Sequence, residues 1–231
     1  MWREFVARTG GDAPDLPGFG RTEKPNDGDY TFRGLGRWFS DYTKDLDSFS
    51  LVVHDWGAVG LLAAMERPEA IERLVIIDAV PFLPDYRWHP VARLWRRRIV
   101  GELFMGASTK TGFRMLAKRQ SETEVPDKVL EEAIDGIWKY FDHGTQRAIL
   151  RLYRSAPEHV LAEVGRDLVR ITAPTLVVWG AQDPYLPTRF AHDYAAAVGG
   201  PAEVEIVEGA GHWPWYEKPH VIERVATFLQ S

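Results

Sequence analysis

Leu51-Val52-Val53-His54-Asp55-Trp56-Gly57 is the stretch on which the reading of this chain turns. Leu51-Val52-Val53 is a short apolar run that reads as a buried strand. The next four residues follow at once. Ala58–Arg67 is then a helix pattern, ended by Pro68. Strand, tight turn and helix in this order set one side chain, Asp55, on a sharp turn at the carboxyl end of a strand. The N-terminus of the following helix points at it. Gly57 is expected to let helix and strand approach closely. An aspartate here can also do no more than cap the helix beginning at Ala58, so other segments must decide.

Three further apolar runs read as buried strands: Leu74-Val75-Ile76-Ile77 before Asp78, Thr175-Leu176-Val177-Val178-Trp179 before Gly180, and Val204-Glu205-Ile206-Val207 before a glycine-rich loop. Residues 35–48 carry Leu35, Trp38, Phe39, Tyr42 and Leu46 at helical spacing, and a last helix runs from about Pro219 to Gln230. Short continuous apolar strands separated by helices predict an α/β fold, a mostly parallel sheet with helices on both faces. Residues 1–80 and 171–231 form the expected core. Residues 81–170 have helical periodicity, little strand signal and many aromatics, among them Tyr86, Trp88, Trp95, Trp138, Tyr140 and Tyr153. They read as a helical cap inserted in the core, most of these rings filling the cap's own interior. Arg93-Leu94-Trp95-Arg96-Arg97-Arg98 reads as a solvated helix face with a buried tryptophan.

The composition fits a folded domain: 231 residues, 45% hydrophobic and 26% charged, with 28 basic against 33 acidic side chains for a net charge of −5. Mild acidity gives no reason to expect nucleic acid. With no cysteine, thiolate catalysis, disulfides and cysteine-held metals are excluded. Neither a membrane-spanning run nor a secretory signal is read, so the expectation is a cytoplasmic protein that does not enter the membrane. It would act as a monomer or homodimer. No cofactor or metal motif is found, and none is expected.

Two later loops bear on Asp55. Trp179-Gly180-Ala181-Gln182-Asp183-Pro184 puts a carboxylate just past one strand, and Gly209-Ala210-Gly211-His212-Trp213-Pro214 puts a histidine just past the last. All three residues then lie beyond the carboxyl edge of one parallel sheet, where open α/β sheets bind ligands. In the order nucleophile, acid, histidine they make a catalytic triad.

With these segments, and with Asp15-Leu16-Pro17-Gly18-Phe19-Gly20-Arg21-Thr22-Glu23-Lys24-Pro25, the chain resembles the α/β-hydrolase family. It is most similar to the aspartate-nucleophile branch that holds haloalkane dehalogenases and epoxide hydrolases. The resemblance implies Asp55 as nucleophile, His212 as base and Asp183 as the acid orienting it. A carboxylate can attack a saturated carbon and leave an ester that water hydrolyses, whereas a serine would leave an ether. The backbone N–H of Trp56 is an expected oxyanion donor, and its indole N–H sits where dehalogenases stabilise the leaving halide. Asp78, at another strand end, is the reserve acid. His54 is expected only to pack beside the turn.

The leaving group stays open between two readings. Trp56 fits both. Tyr153 resembles one of the cap tyrosines that epoxide hydrolases use to protonate the opening oxygen, with Tyr86 and Tyr140 as candidates for the second. Val53 points the other way, since epoxide hydrolases commonly have glycine there. The balance leans to dehalogenation of a small apolar substrate with water as co-substrate. The alternatives are an epoxide hydrolase and a catalytically impaired ligand-binding homologue. Asp55 disfavours a serine esterase.

By the same resemblance the sheet should have about eight strands, of which the sequence shows four. It should also carry an early His-Gly loop supplying a second oxyanion donor, which is not found. Met1–Val6 looks like the helix that normally follows that loop, and Gly10–Ala13 stands where an apolar strand is expected. These features predict a sheet lacking its N-terminal strands, an open edge beside the elbow strand, and a half-built oxyanion site.

Overall fold

The computed structural model describes residues 2–120 and 127–231. Its first helix, α1 (Arg3–Thr9), stands where the sequence suggests one, with Met1 outside the described residues. Residues 10–14 form no regular element. The Thr31 hydroxyl accepts from Gly34 N at 3.0 Å and starts α2 (Phe32–Thr43). That cap sets the helix three residues earlier than the apolar spacing predicts. The helix ends before Leu46, which is 44% exposed instead of buried.

Four strands form one sheet in the order β1-β2-β3-β4: β1 (Phe49–Asp55), β2 (Ile71–Ala79), β3 (Thr175–Gly180) and β4 (Ala202–Val207). All three pairings are parallel. These are the four strands visible in the sequence, each extended by one to three residues at one or both ends. Side chains alternate between faces. Leu74 and Ile76 of β2 and Val177 and Trp179 of β3 face one apolar core. Val75, Ile77, Leu176 and Val178 face the other. Each such aliphatic side chain contributes roughly 1.5–3 kcal/mol by leaving water, and burial on both faces explains the unbroken apolar runs.

The first face is covered by α2, by α3 (Gly60–Glu66) and by α10 (Arg189–Ala197). The second is covered by α1, by α11 (Pro214–Glu217) and by α12 (His220–Gln230). Phe5 of α1 and Trp215 of α11 meet edge to face at 5.6 Å in that layer. The helix expected from Ala58 begins instead as a 3-10 turn over Trp56–Val59 and becomes α-helical at Gly60. Gly57 is not there for close approach: a Cβ on it would stand 4.0 Å from Val53, an ordinary contact.

Between β2 and β3 the described elements are helical: α4 (Pro90–Arg96), α5 (Val100–Gly106), α6 (Lys110–Gln120), α7 (Asp127–Trp138), α8 (His143–Ser155) and α9 (Glu158–Val164). Residues 121–126 of this stretch lie outside the described residues. His89 and Asp142 cap α4 and α8 through Ala92 N and Thr145 N. The arginine run is not simply a solvated face. Arg96 donates to the carbonyls of Tyr153 (3.0 Å) and Ala156 (2.8 Å), and its guanidinium stands 5.9 Å over the Trp88 ring. It thereby braces α4 against the end of α8.

Candidate active site

Because all four strands are parallel, their carboxyl ends line one edge. Asp55 ends β1 with φ 46° and ψ −123°, a conformation that costs a non-glycine residue on the order of 1–3 kcal/mol. The strain is held by neighbours: Asp55 pairs with Ala79 across a register shift, and its carbonyl accepts from Val80 N at 3.2 Å. The side chain keeps some open surface, yet protein crowds it closely. Burial pushes its carboxyl above the ordinary carboxylate value, with Asp183 adding to this. His212 and the Trp56 backbone N–H, which donates to the carboxylate, pull the other way.

His212 and Asp183 meet. The His212 Nδ1–H donates to Asp183 Oδ2 at 2.7 Å, with the two side chains 7% and 0% exposed. Asp183 Oδ1 accepts two backbone N–H groups, Tyr185 at 2.7 Å and Leu186 at 3.0 Å. Burial alone would raise this carboxyl, but the His212 charge and hydrogen bond and the two N–H donors hold it below the ordinary value. Burial likewise disfavours the His212 cation, and is outweighed by Asp183 and then Asp55, so the imidazole is held above its usual 6.5. The tautomer with Nδ1 protonated leaves Nε2 free to take a proton.

What brings the two loops together is backbone contact. A Cβ on Gly180 would lie 2.0 Å from the Gly211 carbonyl and 2.7 Å from that of Ala210, so only glycine fits there. Gln182 N also donates to the Ala210 carbonyl at 2.9 Å.

Asp78 and His54 stand behind this front rank. Asp78, wholly buried with φ 34°, does not reach His212; both its oxygens lie near Gly180 N, at 3.0 and 3.2 Å. Its carboxyl is within hydrogen-bond reach of Asp183. His54 does more than fill space. Burial keeps it neutral down to about 3, and its Nε2–H donates to the His212 carbonyl at 2.8 Å. The sequence does not predict this anchor, although a histidine inside an otherwise apolar buried strand is a signal that points to one.

The inserted helices close over the edge with rings. Trp56 stacks on Trp88 at 5.4 Å and meets Tyr153 edge-on at 5.1 Å; Trp88 and Tyr153 lie 5.0 Å apart. Tyr86 joins through Trp88 at 4.9 Å. Burial raises both phenols well above the ordinary 10, with the Asp55 charge adding to this. Besides Tyr153, the tyrosines that feel the Asp55 charge are Tyr86 and Tyr185, the latter 5.4 Å from the His212 ring and not singled out by the sequence. Of two buried donors here, the Tyr86 hydroxyl has no hydrogen-bond partner, and Trp56 Nε1–H makes no hydrogen bond of good geometry, although it lies within reach of the Tyr153 hydroxyl. Such donors in a dry cluster are costly unless something in the reaction uses them. Among the described residues no cluster of His, Cys, Asp or Glu is placed to hold a metal, and no helix is long and apolar enough to cross a membrane.

The arrangement supplies a strained carboxylate, a carboxylate-paired histidine facing it, and orphan donors above it. Comparison with known proteins agrees with the fold. A curated haloalkane dehalogenase of Mycobacterium tuberculosis is 28% identical over 241 residues, covering 95% of this chain and 69% of that one. A cis-3-alkyl-4-alkyloxetan-2-one decarboxylase of Shewanella oneidensis is 30% identical over 188 residues, which is 74% of this chain and 58% of that protein. Among solved structures, the haloalkane dehalogenase DbeA of Bradyrhizobium elkani superposes with a TM-score of 0.76 at 21% identity, covering 99% of this chain and 84% of its own. The sequence profile of the alpha/beta hydrolase family matches residues 1–225, and the chain belongs to that family.

Proposed function

We propose that this hydrolase cleaves carbon–halogen bonds through a covalent ester on Asp55. One observation carries the reading: a carboxylate on the strained turn is followed directly by a buried tryptophan whose indole N–H is engaged by nothing better than the reach of the Tyr153 hydroxyl. An Asp55 oxygen attacks the carbon of a small apolar haloalkane, the carbon–halogen bond breaks, and the halide leaves with the electron pair. Trp56 Nε1–H donates to the departing anion. His212 Nε2 then takes a proton from water, and the hydroxide adds to Cγ of the ester. The Trp56 backbone N–H supports the oxyanion. Collapse returns the Asp55 carboxylate and releases the alcohol, so one halide and one proton appear per turnover. Asp183 holds the imidazole tautomer and offsets its charge. The inserted helices act as the cap that keeps bulk water from the ester. The dehalogenase relatives support this reading.

Epoxide hydrolysis is the second reading, favoured by the Tyr86 hydroxyl, unpartnered and within the field of Asp55. An opening epoxide needs a proton donor at its oxygen, and Tyr86 with Tyr153 could supply it.

Incubation with 1-bromobutane and with styrene oxide, followed by bromide and diol assays, separates the two. Bromide without diol is expected. In His212→Gln the first step should stall as an ester, a protein mass increase equal to the alkyl group. Free turnover in that variant, or bromide release by Asp55→Asn, would defeat the assignment.

A further inference from the structure

Among the described residues, Asp78 is the one fully buried carboxyl at the sheet edge that the proposed reaction does not use. Its surroundings restrict its charge. Gly180, whose N–H Asp78 accepts, has its carbonyl accepting from Asp183 N at 3.2 Å, so the Asp183 carboxyl stands within hydrogen-bond reach, and Glu217 of α11 is a further acidic group in the field of Asp78. Gly180 N–H of β3 donates to it. Asp183 by contrast receives three N–H donors, from His212, Tyr185 and Leu186. Two carboxylates touching in a dry interior cannot both stay ionised. The better-solvated one keeps the charge, and that is Asp183.

We propose that Asp78 is the neutral half of a two-carboxyl acid: its O–H donates to the Asp183 carboxylate, so the pair presents a single negative charge to His212. One Asp78 oxygen then accepts from Gly180 N–H while the other carries the shared proton, and both are satisfied. Burial, with Asp183 next, drives the Asp78 carboxyl well above the carboxylate range. Asp78 touches no reacting atom; it is a positioning residue, fixing the orientation of Asp183 and hence of His212. This role rests on the reading of Asp183 and His212 as the acid and base of the hydrolase.

Asparagine reproduces the proposed arrangement, its amide N–H₂ donating to Asp183 and its carbonyl accepting from Gly180. Leucine matches the size and supplies neither. With 1-bromobutane, Asp78→Asn should retain at least about ten times the kcat of Asp78→Leu, the effect of one hydrogen bond to a charged group being roughly ten- to a hundredfold. KM should change far less than kcat. Equal losses in the two variants would mean that Asp78 works as an anion. Equal retention would mean that it positions nothing. Either result overturns the proposal.

A second measurement needs no turnover and no Leu variant. Infrared spectra of the whole protein near neutral pH should show a protonated-carboxyl C=O band that shifts in D₂O. The band should persist in Asp55→Asn and vanish in Asp78→Asn. Its absence from the parent protein, or its survival in Asp78→Asn, refutes the neutral Asp78. Failure of the bromoalkane reaction would defeat the functional reading and leave this result standing.

Discussion

On the sheet edge, Asp55, Asp183 and His212 are held by main chain: a strained φ, two N–H groups on one carboxylate oxygen, and a carbonyl tied to His54. In the inserted segment, Tyr86 and Trp88 of the loop before α4 and Tyr153 of α8 are held by rings resting on rings, with Arg96 and Trp88 Nε1 both reaching the Ala156 carbonyl. The edge therefore tolerates almost no displacement, while a ring cluster can be repacked without moving the reacting carboxylate. On the proposed reading, chemistry sits where geometry is stiff, and substrate choice where it can be varied. Substitutions in the two regions should fail in different ways.

The largest effect is expected from Gly180→Ala. Its Cβ meets the Gly211 and Ala210 carbonyls, which belong to the histidine loop and cannot rotate away. A loss of more than about 3 kcal/mol is expected, lowering Tm by about 6–12 °C, together with loss of turnover as Asp183 and His212 separate. Circular dichroism melts with a bromide assay check it. An unchanged Tm would show that the edge is not backbone-limited.

Next comes Asp183→Asn, which should preserve the fold and lower kcat by about 10²- to 10⁴-fold. The sign of its pH effect follows from His212. In the parent protein Asp183 and Asp55 overcome burial and raise the imidazole above 6.5, and the base is the neutral form. Activity should thus climb as pH rises through that raised value. Without the Asp183 charge burial has less opposition, so the acid limb of the kcat profile should move to lower pH. A limb that stays in place would break the pairing.

The same contrast governs which features the amino-acid sequence reveals by itself. The inner strands are legible because both their faces are buried, as the unbroken run Leu74-Val75-Ile76-Ile77 illustrates, while edge strand β4 alternates apolar residues with Glu203 and Glu205, which pair with Arg224. Asp55, Asp183 and His212 are legible because Asp55 ends a strand and the other two stand in the short loops just past one, and parallel strands fix where such residues land. Contacts that depend on three-dimensional closure are not. Nothing local indicates that Gly180 lies against Gly211, that Asp78 abuts Asp183, or that Arg96 turns inward. Tyr86 and Tyr140 cannot be ranked from the chain, since helix periodicity gives a face and not the neighbour across it. The early helix boundary at Phe32 is set by one hydroxyl cap, which the apolar spacing does not encode.

The smallest effects should come from the two orphan donors, and they sharpen the comparison most. Trp56 follows Asp55 on the edge and Tyr86 lies in the loop before α4 within the field of the same carboxylate, and neither donor is well satisfied. Tyr86→Phe loses no hydrogen bond in the resting protein and should melt within about 1 kcal/mol of the parent, whereas Trp56→Phe gives up ring packing on Trp88 and Tyr153 and should cost about 1–3 kcal/mol. Trp56→Phe removes the donor aimed at a leaving halide, and bromide release should fall roughly ten- to a hundredfold. Tyr86→Phe removes a hydroxyl that a departing halide does not need, so its effect on bromide release should stay below about threefold, an energy difference under about 0.7 kcal/mol. If the order is reversed, with Tyr86→Phe the more damaging and diol the product lost, the inserted segment supplies a proton that the chemistry requires. The division of labour between the two regions would then fail, and the epoxide reading would replace the halide one.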